Sequence, residues 1–236
     1  MNFYLLKRRW ELLKSLPLSL YFNFHYLPIK QAIKLPIILY NPSFWALKGK
    51  VVIDSSKISF GMIRLGLFNA SINKGKGFVW MNEAGTVIFH GCFSAGPGSV
   101  MKISHPHAVL EFGNNVGNAS SLRIDCHYNI SIGENSRFGW GVIIMDSNLH
   151  RLKNSDGSWA GSGFDAIEIG DNSWLSSQTV VLPGTKFPSY SVCALGSILN
   201  RNYSSFGNGL FAGRPAKMIK SGIWRDVFDS DIDYDI

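Results

Sequence analysis

IGDNSW-LSSQTV-VLPGTK-FPSYSV-CALGSI-LNRNYS, residues 169–204, is the stretch that decides the fold. Cut every six residues, its blocks open on Ile169, Leu175, Val181, Phe187, Cys193 and Leu199, all apolar. Their fifth positions are Ser173, Thr179, Thr185, Ser191 and Ser197, then Tyr203, which breaks the small-hydroxyl rule. The fifth position of one block lies two residues before the first of the next. In an extended chain those side chains share a face. Each block therefore sends one small and one bulky group inward, then turns. Gly and Pro throughout the blocks exclude a helix, and hairpin turn signals are missing.

The same frame runs backward through Phe138, Ile132 and Cys126, with Ser136 and Val142 in the small slots. It loosens from Val87 to Phe112, although Phe112-Gly113-Asn114-Asn115-Val116 repeats the wording of 169–173. A fixed period is the mark of a solenoid, in which stacked turns bury what one turn cannot.

The remaining chain statistics narrow the class. Of 236 residues 46% are hydrophobic and 17% charged, which excludes disorder as the main state. Three cysteines with no ligand spacing point to reduced thiols in a cytoplasm-like compartment, and Cys126 and Cys193 fall on inward positions. Residues 1–50 hold eight basic side chains against Glu11, a balance of +7 that equals the whole chain's. The body is therefore neutral, and nucleic-acid binding is not expected without a basic face or motif there. Acids crowd the end at Asp226, Asp229, Asp231, Asp233 and Asp235.

The blocks resemble the hexapeptide-repeat acyltransferases over about residues 50–220. That resemblance implies an all-β chain: a left-handed parallel β-helix with an N-terminal extension and a short C-terminal helix. The expected division is 1–50 as a basic cap or membrane-proximal segment, 51–214 as the β-helix and 215–236 as a C-terminal helix and acidic tail. Val51-Val52-Ile53 is the expected start of regular strand. The polar segment RLKNSDGSWAGSGFDA, about 150–166, is too long for a corner and predicts a projecting loop.

Just before that loop, Asp146-Ser147-Asn148-Leu149-His150 is similar to the stretch that carries the catalytic histidine of polysaccharide acyltransferases in this family. A neutral imidazole can take the proton of a sugar hydroxyl as it attacks a thioester. The resemblance implies His150 as general base, with Asp146 fixing its tautomer or holding sugar. Trp174-Leu175-Ser176-Ser177 matches the family's Trp-Ile-Gly-(Ala/Ser) segment, placing Trp174 beside the pantetheine arm and the Ser177 N–H on the oxyanion. Ala194-Leu195-Gly196-Ser197 resembles the coenzyme channel, with Ala194 standing for the first glycine. Arg201, Lys217 and Lys220 are phosphate candidates, the last two within FAGRPAKMIK (211–220), where Arg214 replaces the common Asn. Trp140 and Asn148 are candidate sugar contacts.

The implied protein is an acetyl-CoA-dependent O-acetyltransferase acting on a sugar or surface-polysaccharide precursor by direct transfer, as a homotrimer with sites between subunits. The expected place is the cytoplasm, at or near the inner face of the membrane. Two rivals stand beside it: an inactive β-helical scaffold, and a zinc-dependent hydratase, for which three converging histidines near His150 are lacking, so no metal is expected. For residues 1–50 two readings stand ahead of a third, nucleic-acid binding, which has basic charge and aromatics but no binding motif. One is a cap packed on the body, with Pro17 and Pro28 breaking any single helix. The other is an interfacial anchor on anionic membrane, built from Trp10, Tyr21, Phe22, Phe24 and Tyr26 among Lys and Arg. No cleaved leader is expected, because no small-residue site follows the apolar stretch.

Overall fold

The structure, a computed structural model, describes residues 3–66 and 77–226, with side chains from Arg9 onward. From Ile37 the chain winds as a triangular solenoid. One coil is Ile37–Leu39, Pro42–Leu47 and Lys50–Ile53, and each strand pairs in parallel with the strand of the same face in the next coil. The three faces, I, II and III in chain order, hold nine, seven and six strands. The architecture is a left-handed parallel β-helix.

The hexad reading holds at the level of single side chains. Ile169, Leu175, Val181, Phe187, Cys193 and Leu199 are all buried, and so are the small residues Ser173, Thr179, Thr185, Ser191 and Ser197. Tyr203 is buried too, where it packs edge-on to Phe187 and Phe211 and closes the C-terminal end of the prism. The repeated Gly-x-Asn wording marks the corner between faces III and I. Asn115, Asn135 and Asn172 adopt φ of 59°, 56° and 54° there, a left-handed conformation that Asn tolerates better than most residues. A Cβ on Gly133 would sit 2.5 Å from the Asp171 nitrogen, so stacked corners need the missing side chain.

Three expectations are corrected. Regular strand begins at Ile37, not Val51, because the first coil is built on the unbroken apolar run Ile37-Ile38-Leu39, which carries no hexad alternation. The N-terminal segment forms one helix, Phe3–Tyr26, straight through Pro17. Pro17 and Leu13, whose carbonyl loses its partner, both lie on the exposed side, and docking holds the rest of the helix in place. Residues 215–226 are not helical. Gly209–Gly213 and Ala216–Ser221 form an antiparallel hairpin on face I, since Leu210 pairs onward from Val192 and the chain folds back along the open edge. The expected acidic tail from Asp229 lies outside the described residues.

The helix caps the first coil with polar atoms. Asn23 Nδ2 donates to the Ile37 carbonyl at 2.7 Å, Ile37 N–H donates to Asn23 Oδ1 at 3.1 Å, and Leu39 N–H donates to Ser19 Oγ at 3.0 Å. An open strand edge is thereby paired. Phe22 is buried beside Trp80 and Phe44, extending the core over the end of the prism. No described helix is long and apolar enough to cross a membrane.

Candidate active site

The fifth coil leaves face II after Ile143–Met145 and does not return until Ile167. The intervening residues form a narrow arm. Asn148 N–H donates to the Gly163 carbonyl at 2.8 Å, Ala160 N–H to Leu152 at 2.8 Å, and Lys153 bridges Trp159. The Arg151 guanidinium stacks 4.0 Å from the centre of the Trp159 ring, with the Lys153 ammonium at 5.0 Å. Residues 151–162 are exposed throughout, so the predicted loop is a projecting arm. Phe164 seats its base against the rings of His127 and Tyr128 at 5.8 and 5.1 Å.

His150 stands at this base, exposed, with no hydrogen-bond partner for its imidazole among the described residues. Asn148 is exposed beside it. Asp146 is buried and turned away from both. Its carboxylate accepts the N–H of His127 at 2.7 Å and of Tyr128 at 2.8 Å. That corrects the expected pairing with His150: Asp146 is committed to the turn of the coil before. Its pKa lies above the usual carboxyl value because burial outweighs the two N–H donors.

The second cluster lies at the corner between faces I and II, on successive coils. Trp140 N–H donates to Ser177 Oγ at 3.2 Å, Gly196 N–H to the Ser177 carbonyl at 3.0 Å, and Arg214 Nε to the Gly196 carbonyl at 2.5 Å. The Ser177 N–H itself donates to nothing among the described residues. A Cβ on Gly139 would lie 2.3 Å from the Ser177 nitrogen, so glycine there keeps the approach open. Ala194 N–H is spent on Phe211 at 2.8 Å, whereas Leu195 beside it is exposed.

Trp174 lies on face I next to this corner, and the Arg225 guanidinium sits 4.8 Å from the centre of its ring. Arg225, Arg137, Gly117 and Asn118 line the groove that Trp174 closes, of about 330 Å³. Neither arginine stood out in the sequence, since nothing in the repeat announces which face-I residues share a groove. Arg201 is remote from that groove, at the far edge of face II, and donates to the Ala216 carbonyl at 3.3 Å. Lys217 and Lys220 are exposed on the hairpin.

The structure thus brings Trp140, Ser177 and Gly196 together, and it brings His150 and Asn148 together. It keeps the two groups apart, at opposite edges of face II, which at about 3.3 Å per residue is roughly 15 Å across. Cys126 and Cys193 are core residues whose thiols burial pushes up, that of Cys193 to about 11. Among the described residues no three His, Cys, Asp or Glu side chains are arranged to hold a metal.

Fold and site define a left-handed β-helix that carries an exposed histidine on a coil interruption and an open backbone amide at the next corner. Among solved structures, the chain is similar to the polysialic-acid-specific acetyltransferase NeuO, with 19% identity, a TM-score of 0.50, and 80% of this chain and 74% of that one covered. That likeness shows the fold. The polysialic acid O-acetyltransferase OatWY is 17% identical at a TM-score of 0.43, covering 82% and 95%. A hexapeptide-repeat acetyltransferase of Vibrio cholerae, solved with acetyl-CoA, is 18% identical at 0.40, covering 57% and 66%. A Dictyostelium discoideum protein provisionally assigned as an acetyltransferase is 30% identical over 42% of this chain, which spans 62% of that relative's length. No family model matches the chain.

Proposed function

We propose that this protein is an acetyl-CoA-dependent O-acetyltransferase with a sugar or polysaccharide precursor as acceptor. One observation carries the reading: the His150 imidazole stands exposed and unpartnered at the base of the projecting arm, and the Ser177 N–H is left unpaired at a corner of the same prism. His150 takes the acceptor proton as the hydroxyl oxygen bonds to the thioester carbon, and the Ser177 N–H steadies the oxyanion. Collapse of that intermediate breaks the C–S bond, and the thiolate leaves with a proton. Trp174 and Gly196 line the donor side, and Trp140 and Asn148 the acceptor side. Lys217 and Lys220, exposed on the hairpin, are the candidates for the coenzyme's phosphate end; Arg201, tied to the Ala216 carbonyl and remote from the Trp174 groove, is the weaker one.

The separation of His150 from Ser177 supports a homotrimer in which one copy supplies the base and its neighbour the donor channel. Three unpaired thiols, two of them buried, support a reducing, cytoplasmic setting. The provisional acetyltransferase assignment of the partial relative agrees with this reading. Arg214, bonded across the corner at Gly196, is the feature that favours a non-catalytic scaffold.

Coenzyme A decides between the two. Specific binding raises the melting temperature, and incubation with acetyl-CoA and a glycan panel adds one acetyl mass to an acceptor. A protein whose melting ignores coenzyme A and that modifies no acceptor is the scaffold.

A further inference from the structure

The helix Phe3–Tyr26 has its polarity turned inside out. Ser15, Ser19 and Asn23, at four-residue steps, are buried; Ser19 and Asn23 pair the backbone of the first coil, and the Ser15 hydroxyl donates to the Glu11 carbonyl within the helix. Trp10, Leu13, Pro17, Leu20, Tyr21 and Phe24, at three- and four-residue steps, face solvent. Five of these are large apolar or aromatic groups exposed by 44–58%. The stripe runs about 21 Å along the helix at 1.5 Å per residue, and none of the described residues covers it. Ile29 and Ile33 continue the exposed apolar surface just beyond, at 62% and 64%.

Charge says what covers it. Arg9, Lys14, Lys30 and Lys34 are exposed beside the apolar groups. The one acid of the first fifty residues, Glu11, lies 3.8 Å from Lys14. A bundle of copies packed stripe to stripe would concentrate these cations with almost no acid to offset them. An anionic bilayer offsets them, and its boundary accepts Trp, Tyr and Leu side chains. On the helix's flank, Arg9 and Arg64 line a cavity of about 260 Å³ with Leu12, Ile38 and Phe60, a mix of guanidinium and apolar wall that suits a phosphate headgroup with its acyl chain. No described helix is long and apolar enough to cross, so the contact is one of lying on the surface.

We infer that the solvent face of the Phe3–Tyr26 helix is a docking surface for anionic phospholipid membrane, holding the prism with its first coil toward the bilayer. This stands apart from the proposed acetyl transfer, since it uses none of the same residues.

The test is co-sedimentation of the full chain with phosphatidylcholine vesicles, with and without added phosphatidylglycerol. Binding to the anionic vesicles is expected, weakened by salt. The variant Trp10→Ser/Leu13→Ser/Phe24→Ser, with an unchanged melting temperature, is expected to bind about tenfold or more weakly. Lys14→Glu/Lys34→Glu is expected to lose the preference for anionic lipid. Three results overturn the inference: no binding, equal binding to both vesicle types, or serine and wild-type chains binding alike. A wild type that ignores vesicles while the serine variant breaks up its oligomer overturns it as well, and assigns the stripe to a second copy.

Discussion

His150 is exposed and unpartnered, so replacing it removes a proton acceptor and no packing. His150→Ala is expected to lower kcat/KM by about 10²–10⁴, with coenzyme affinity by calorimetry and melting temperature unchanged. Retained turnover would take His150 out of the reaction. Gly139→Ala acts on the other partner. Its Cβ has no room 2.3 Å from the Ser177 nitrogen, so the amide must shift. We expect kcat to fall about 10²-fold while coenzyme affinity changes by less than about tenfold. Asp146 belongs to a different argument. Its folded pKa is raised by burial, so the folded chain holds this proton more tightly than the unfolded one. Stability from this group is therefore full below the unfolded value of 3.8 and is lost as pH rises through the folded value. In urea melts, wild type should accordingly gain stability relative to Asp146→Asn as pH is lowered from neutral towards that window. An unchanged difference would mean that Asp146 titrates as it does in the unfolded chain. His150 was legible because the repeat stops beside it. The true partners of Asp146 were not, because they are backbone amides of residues 127 and 128, one coil away and silent in the sequence.

At the scale of elements, legibility follows spacing. Trp174 pairs with Val192 and Val192 with Leu210, each eighteen residues on, which is three blocks of six. Phe93 pairs with Val116 twenty-three residues on, and Ile63 with Phe93 thirty on. Five-residue strands, Phe78–Asn82 and Ser99–Ile103, lengthen those early coils. The inner residues still alternate there, but no six-residue cut follows them. The N-terminal helix was harder still, because the usual sign was reversed: its polar side chains face the core. Asn23 is the test. Its amide pairs both the N–H and the carbonyl of Ile37 in a buried place. Asn23→Ala leaves both groups unsatisfied and is expected to cost about 2–6 kcal/mol. The cost should appear as a lower melting temperature and as faster proteolysis within residues 3–26. An equally stable, equally resistant variant would show that the helix is not held by this edge.

At the scale of the whole molecule, the proposed site is not closed within one chain. His150 and Asn148 stand at one edge of face II, Ser177 and Gly196 at the other. A thioester cannot touch both across roughly 15 Å of sheet. In the proposed trimer, a head-to-tail contact around a three-fold axis would set one edge of each prism against the opposite edge of the next and close as a ring. Two inactive variants then become informative together. His150→Ala keeps an intact Ser177 corner, and Gly139→Ala keeps an intact histidine. Mixed in equal amounts under conditions that exchange subunits, they assemble sites at random. A site is whole when its histidine comes from the Gly139→Ala chain and its corner from the His150→Ala chain. Each has a chance of one half, so about a quarter of wild-type activity should return. A site closed within one chain returns none, since every chain in the mixture carries a lesion in it. The recovered fraction therefore tests whether the site is shared between chains and whether His150 and Ser177 are its two halves, and native mass spectrometry counts the copies in the ring.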